Sequence, residues 1–229
     1  REEMEVDGLR DVDYSLTTRE LGDMIKQAGI DFDTLEDEHP DSVLGDYTGA
    51  AVIFGTTGGV MEAALRTAAD VLTGEDLPSF EYEAVRGMEG IKQASVTVPL
   101  GGVPTELKVV VCSSVKHAGE VLDAVRKGEL SCHFIEVMAC PGGCIHGGGQ
   151  SYVSSTERMS TDPRLARADA LYSEDERQVL RKSHQNPELI ELIDKFLGAP
   201  NSDVAHKYLH THYAPRPFYA QKEFGECDD

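Results

Sequence analysis

The stretch Met138-Ala139-Cys140-Pro141-Gly142-Gly143-Cys144-Ile145-His146-Gly147-Gly148-Gly149-Gln150 holds two thiols separated by three residues, one proline and five glycines. Glycine at that density lets backbone amides approach a bulky group, and amides converging on sulfur stabilise the negative charge of thiolate-bound clusters. A soft thiolate pair suits zinc, copper(I) or iron–sulfur ligation. Zinc fits less well, because a structural site needs two further Cys or His ligands at comparable spacing, and no C-x-x-C pair is present. A redox dithiol also fits less well, since that chemistry usually uses C-x-x-C. The plain alternative, a glycine-rich loop around two inert buried cysteines, accounts poorly for five glycines beside an apolar strand.

The elements that must position this loop follow from pattern. Cys132–Ala139 reads as a buried strand leading into Cys140, so that Met138 and Cys140 share a strand face by period-two spacing. Ser95–Leu100 and Thr105–Val111 are β-branched runs joined by Gly101-Gly102-Val103-Pro104, the composition of a hairpin with a four-residue loop. Ala50–Phe54 reads as a short strand, Gly55-Thr56-Thr57-Gly58-Gly59 as a turn, and Val60, Met61, Ala64, Leu65, Ala68 and Val71 as the apolar face of a helix. Thr17-Thr18-Arg19-Glu20 is a capping box, followed by Leu21, Met24, Ile25 and Ala28 at helical spacing until Gly29. Ala118, Val121, Leu122 and Val125 mark another helix that stops at Gly128.

From Pro163 the pattern turns helical. Asp162-Pro163, Ser173-x-x-Glu176 and Asn186-Pro187 read as three helix starts, and Leu189, Ile190, Ile193, Phe196 and Leu197 as the apolar face of a last helix closed by Gly198. An α/β fold is therefore expected: a twisted mixed β-sheet flanked by helices over residues 1–155, and a C-terminal helical appendage with an aromatic tail over 156–229. The cysteine loop then sits at the C-terminal end of a strand, where open α/β sheets hold ligands.

The string Glu136–Gln150 closely resembles the third signature of the iron-only (FeFe) hydrogenases. Arg10–Asp13, Leu16–Leu21, Phe54–Arg66 and Leu209-His210-Thr211-His212-Tyr213 resemble the same family in the same order. The resemblance implies one lobe of a catalytic domain holding the H-cluster, a 4Fe-4S cubane linked through one cysteine sulfur to a two-iron unit with carbonyl, cyanide and a bridging dithiolate. It implies that Cys140 ligates the cubane and that Cys144 is the thiolate bridging cubane and two-iron unit. Met138 would pack against the dithiolate, Phe54 and Gly55 would line the pocket of the diatomic ligands, and Gly142 and Gly143 would let the backbone approach the cluster. A site for dihydrogen needs such a close-packed apolar wall while the cofactor supplies the electronics.

The family's two upstream signatures, a Thr-Ser-Cys and a Pro-Cys-x-x-Lys pattern, are absent from these residues. They carry the other two cubane cysteines, so half a cluster site is expected here, with the upstream half of the domain as its partner. The function implied is reversible interconversion of dihydrogen with protons and electrons. Accessory iron–sulfur clusters elsewhere, and ferredoxin or an NAD(P)-linked subunit, would carry the electrons in a cytoplasmic enzyme. The rival reading is a hydrogenase-like iron–sulfur assembly or scaffold protein without hydrogen chemistry. An intact Met138 and an unbroken glycine loop favour the enzyme, because a scaffold holding only a cubane needs no wall facing a dithiolate.

Composition sets the outer bounds. Forty-one Asp and Glu against 21 Lys and Arg give a net charge of −20, which repels nucleic-acid backbones and anionic lipid. No apolar run approaches the ~20 residues that a bilayer helix requires. Cys112 and Cys132 are expected as core residues and Cys227 as a solvated thiol. His206, His210 and His212 are expected to pack on a neighbouring surface, with His133 and His146 flanking the cysteine loop.

Overall fold

The computed structural model describes residues 4–39, 41, 44–76, 82–100 and 103–211. Its elements run β1 (Glu5–Val6), β2 (Leu9–Arg10), α1 (Thr18–Ala28), α2 (Gly49–Val52), α3 (Gly59–Thr73), β3 (Ile91–Leu100), β4 (Val103–Ser113), α4 (Val115–Arg126), β5 (Phe134–Met138), α5 (Ser155–Ser160), α6 (Pro163–Arg177), α7 (Pro187–Leu192) and α8 (Asp203–Leu209). They fall into two units, residues 16–190 and residues 1–15 with 191–229.

In the larger unit, β3, β4 and β5 form a mixed three-stranded sheet in that order. β3 and β4 pair antiparallel, whereas β5 runs parallel to β4 after the crossover through α4. Val109 and Val111 of β4 face Met61 and Leu65 of α3 with Val85, and Val110 and Cys112 face Ala118 and Val121 of α4. Alternate residues of one strand thus build a core on each side, the α/β layering expected from the sequence. Cys112 is buried and Cys132 half-buried against the second core.

Several helix ends follow their sequence signals. Thr17 caps α1 with a complete capping box, and Gly29 closes it at φ 70. Asp162 caps α6 ahead of Pro163. The Asn186 side-chain oxygen accepts from the amides of Glu188 and Leu189 at the start of α7.

Five expectations are corrected. Ala50–Phe54 is not a strand: it forms α2 and a 3-10 turn, Ile53–Gly55, because the Thr48 hydroxyl caps the Ala51 amide and Ala50 and Ile53 are buried at a helical spacing of three. Ser173 and Glu176 start no helix, since α6 already runs through them from its proline start. Val103 and Pro104 belong to β4 and not to the hairpin connection, because pairing with β3 continues to Leu100 opposite Val103. The strand into the cysteine loop is Phe134–Met138, and only Glu136 in it is buried. On α3 the buried face carries Glu62, Arg66 and Asp70 beside Met61 and Leu65, while Val71 is exposed; on α4, Leu122 and Val125 are also largely exposed.

In the smaller unit, the β1–β2 ribbon carries Asp7, whose carboxylate accepts from Lys207 Nζ at 2.8 Å and Tyr208 Oη at 3.1 Å on α8. A π-helical turn, Ile193–Leu197, ends at Gly198 with φ 78. The rings of His206 on α8 and His210 just past its end lie 4.5 Å apart, tilted by 54°. His212, Tyr213 and Cys227 lie outside the described residues.

Candidate functional site

β5 stops at Met138, so the chain bends before Cys140 and the shared-face reading of Met138 and Cys140 does not extend that far. The Gly143 amide then closes a turn onto the Cys140 carbonyl at 3.0 Å, and Cys144–His146 forms a single 3-10 turn. Gly142 and Gly143 are buried with φ 86 and 93, a backbone state that L side chains rarely adopt. Cys140 is half-buried, Cys144 is exposed, and both thiols are free.

The loop rests on the Gly55–Thr57 segment. The Thr57 amide donates to the Gly142 carbonyl at 3.1 Å. A Cβ added at Gly143 would stand 2.6 Å from the Gly55 carbonyl oxygen and 2.8 Å from the Thr57 nitrogen. Gly55 and the cysteine loop are therefore in backbone contact. Phe54 projects from the 3-10 turn with 46% of its surface exposed, and Met138 is half-buried at the strand end. Neither belongs to the two cores of the sheet. His146 lies exposed in the 3-10 turn; His133 instead accepts the Lys108 amide at 2.9 Å at the other end of β5.

Two buried charges, not identified from sequence, hold the Gly55–Thr57 wall. The Glu136 carboxylate on β5 accepts from the Gly58 and Met61 amides, each at 2.7 Å, at the start of α3, where unpaired N–H groups favour an anion. Lys92 on β3 donates to the Thr57 and Gly87 carbonyls, both at 2.9 Å. Gly58 has no room for a side chain there, because a Cβ would lie 2.0 Å from the Val85 carbonyl oxygen. Among the described residues the buried Thr57 hydroxyl has no hydrogen-bond partner, and Thr57 lines a cleft of about 510 Å³ with Arg86, Met88 and Tyr172.

Burial pushes the Lys92 ammonium down to about 8, against the opposing pull of Glu136 and Glu89. Between about pH 8 and 10.5 the unfolded chain then holds more protons at this residue than the native one, so stability gained from this group rises with pH across that window. Urea titrations of wild type and Lys92→Met are expected to diverge there, with wild type gaining relative to the variant as pH increases. A constant difference between the two proteins across the window would contradict this.

Behind the wall lies a charged core that also escaped the sequence reading. Arg66, fully buried, forms a two-pronged bond to Asp175 at 2.8 Å on each arm and a third to Glu62 at 2.8 Å. Arg86 grips Glu62 from the other side, and its guanidinium lies 4.2 Å over the Tyr172 ring. Arg181 completes the set on Asp175 at 2.7 Å. This ties α3 to α6 directly beneath the Gly55 turn. Charges in helical patterns ordinarily read as solvated faces, and the partners lie 109 residues apart, so only the fold reveals the network.

Among the described residues, no group of three or more His, Cys, Asp or Glu side chains comes together to hold a metal ion. The donor set is two soft, free thiols on a glycine cradle, which fits half of a four-thiolate cluster site and not a complete metal site. Among the described residues, no helix is long and apolar enough to cross a membrane.

Comparison with known proteins agrees with this geometry. Residues 1–148 match the family model described as the iron only hydrogenase large subunit, C-terminal domain, and residues 161–216 match that of the iron hydrogenase small subunit. The chain is 50% identical over 216 residues to NADP-reducing hydrogenase subunit HndD from Solidesulfovibrio fructosivorans, covering 94% of this chain and 35% of that protein. It superposes on a solved structure of the [FeFe]-hydrogenase HydA1 from Chlamydomonas reinhardtii with a TM-score of 0.72 at 37% identity, over 92% of this chain and 58% of the other. At lower identity, 29% over 208 residues, it is similar to cytosolic iron-sulfur assembly component 3 from Mus musculus, covering 89% of this chain and 41% of that protein. The chain thus spans about a third of the length of its hydrogenase relative HndD. Family models covering both its cysteine-loop half and its helical half, together with the shared fold, show that the chain belongs to the iron-only hydrogenase family.

Proposed function

We propose that this chain is the C-terminal part of an FeFe hydrogenase catalytic domain and that, joined to an upstream half bearing two more cysteines, it interconverts dihydrogen with protons and electrons. The observation that carries the reading is the pair of free thiols, Cys140 and Cys144, on a positive-φ glycine turn in backbone contact with Gly55. When bound, the H-cluster supplies the two-electron chemistry. The chain's own residues do the rest. Cys140 and Cys144, the latter the more exposed, would be the thiolates that hold the cluster. Met138, Phe54 and Gly55 form an apolar wall that keeps water from the site, and Gly142 and Gly143 let the backbone come close. In this reading residues 1–155 are the cluster-bearing lobe and 156–229 the C-terminal helical part of the same domain.

An electron-transfer partner belongs to the same proposal. HndD is by name a subunit of an NADP-reducing hydrogenase, which supports ferredoxin or an NAD(P)-linked subunit as the class of partner. A cytoplasmic location is part of the reading, supported by large- and small-subunit family models matching one continuous chain.

The likeness to an iron–sulfur assembly component keeps a second reading in view, a cluster-bearing scaffold without hydrogen chemistry. Hydrogen evolution from a reduced viologen, in the cluster-loaded holoenzyme, separates the two. Wild type is expected to turn over, and Cys144→Ala to fall below about a hundredth of that rate, since loss of a ligand exceeds the 10–100-fold cost of losing an outer partner. A loaded wild type that shows a cubane but neither carbonyl nor cyanide infrared bands, and no hydrogen, would establish the scaffold instead.

A further inference from the structure

The loop that follows Cys144 is the least self-sufficient part of the site. Gly147, Gly148 and Gly149 stand in a row, and three consecutive glycines lose more freedom on ordering than any other sequence of that length. Within the loop, only the Gly147 amide on the Cys144 carbonyl and two bonds from Gln150 tie the chain to itself beyond the 3-10 turn. The remaining restraints come from outside, from two arginines on two different helices.

Arg19, in the first turn of α1, donates from one terminal nitrogen to the Gly148 carbonyl at 2.7 Å and the Gln150 carbonyl at 2.6 Å. Its own backbone amide donates to the Gly149 carbonyl at 3.3 Å, and its guanidinium lies 4.2 Å over the Tyr152 ring. Gly149 sits so near α1 that a Cβ there would come within 2.8 Å of Thr17 Cβ. Arg167, on α6, reaches the same loop with its two terminal nitrogens, at 2.8 Å to the Ile145 carbonyl and 2.9 Å to the Ser151 carbonyl. Five carbonyls in the seven residues after Cys144 are thus held by two arginines. Among the described residues neither guanidinium forms a direct ion pair with a carboxylate; both direct their N–H groups to loop carbonyls.

We propose that Arg19 and Arg167 are positioning residues that clamp residues 145–151 and thereby fix the Cys144 sulfur, placing their positive charge on the loop that carries it. This rests on the hydrogenase reading for the identity of the group at Cys144, but the clamp itself does not. Bonds from a guanidinium to a carbonyl are charge-assisted and directional, and a fork can span two carbonyls that a point-charge ammonium cannot. A fixed positive charge near an iron–sulfur centre also stabilises its more negative, reduced state and so raises its potential.

The clamp and the charge separate by substitution. In the full-length protein purified without cluster, Arg19→Gln and Arg167→Gln are each expected to speed hydrogen–deuterium exchange of the Gly147 and Gln150 amides about tenfold, as loss of charge-assisted bonds implies. Arg167→Lys is expected to loosen the loop similarly. In the cluster-loaded holoenzyme, Arg167→Gln is expected to lower the midpoint potential of the cubane while Arg167→Lys preserves it, and both are expected to lower kcat with little change in KM for the dye. If wild type takes up no H-cluster, the hydrogenase reading falls and the exchange data alone judge the clamp. Variants that melt like wild type and exchange those amides at the wild-type rate would overturn the proposal.

Discussion

Alanine at Gly143 is expected to lift the cysteine loop off its wall, at a stability cost of roughly 2–5 kcal/mol. Two effects combine. The backbone at Gly143, φ 93 and ψ −166, lies in a region that is essentially glycine-only. The new methyl would also stand 2.6, 2.8 and 2.9 Å from atoms of Gly55, Thr57 and Thr56, all of them backbone and none able to swing aside. The segment must therefore move as a body, and the Thr57 amide loses the Gly142 carbonyl. Gly148→Ala is the matched control, because a Cβ there meets nothing within 4 Å. Thermal melts should show a large fall in Tm for the first and near-identity with wild type for the second, and iron bound per chain should drop only in the first. Equal melting temperatures for the two variants would refute the close-contact account.

The second large effect is expected at Arg66. Replacement by methionine leaves Glu62 and Asp175 buried with one counter-ion fewer each, and breaking a buried pair in this way costs about 3–5 kcal/mol. Burial alone would raise the Asp175 carboxyl, yet the bonds from Arg66 and Arg181 overcome it and hold the group below the usual aspartate range. Its share of stability is accordingly present above the ordinary aspartate pKa and is lost as pH falls through the lower, native value. Combining Arg66→Met with Asp175→Leu removes the stranded carboxylate and should recover part of the loss, the remainder being set by Glu62, still short of Arg66, and by Arg181, which loses its bond to Asp175. Chemical denaturation of the single and double variants measures this coupling. A double variant no more stable than Arg66→Met would show that packing, and not the unpaired charge, sets the cost.

Much of this architecture is legible in the residues. The capping box at Thr17, the proline start at Pro163 and the alternation along β4 each announce a local preference that tertiary packing then ratifies. The cysteine loop is legible as well, because five glycines around two thiols leave few alternative purposes. Ala50–Phe54 was not, for a physical reason: a five-residue apolar run buries equally well as a strand or as a helical turn, and periodicity cannot choose. Ser173-x-x-Glu176 misleads in the opposite way, being a start signal inside a helix that has already begun. Lys92, Glu136 and the Arg66 network were invisible because a charge declares nothing about burial until its partner arrives, and the partners come from distant segments. Arg19 reads locally as part of a capping box, whereas its side chain serves a loop 129 residues away.

The central strand has a further consequence, which concerns information. Val109, Val110, Val111 and Cys112 alternate between two cores, and a slip of one residue would present each core with side chains of nearly the same size and polarity. Apolarity alone therefore leaves the alignment of β4 nearly degenerate. The degeneracy is broken on either side of Val111, which lies opposite Lys92 on β3 and opposite Glu136 on β5. Each of those charges is buried and has fixed backbone partners, Glu136 the Gly58 and Met61 amides and Lys92 the Thr57 and Gly87 carbonyls. A slipped sheet would strand both of them away from water with nothing to bond. The same two side chains that brace the wall of the site thus also encode which residue of the sheet stands beside which.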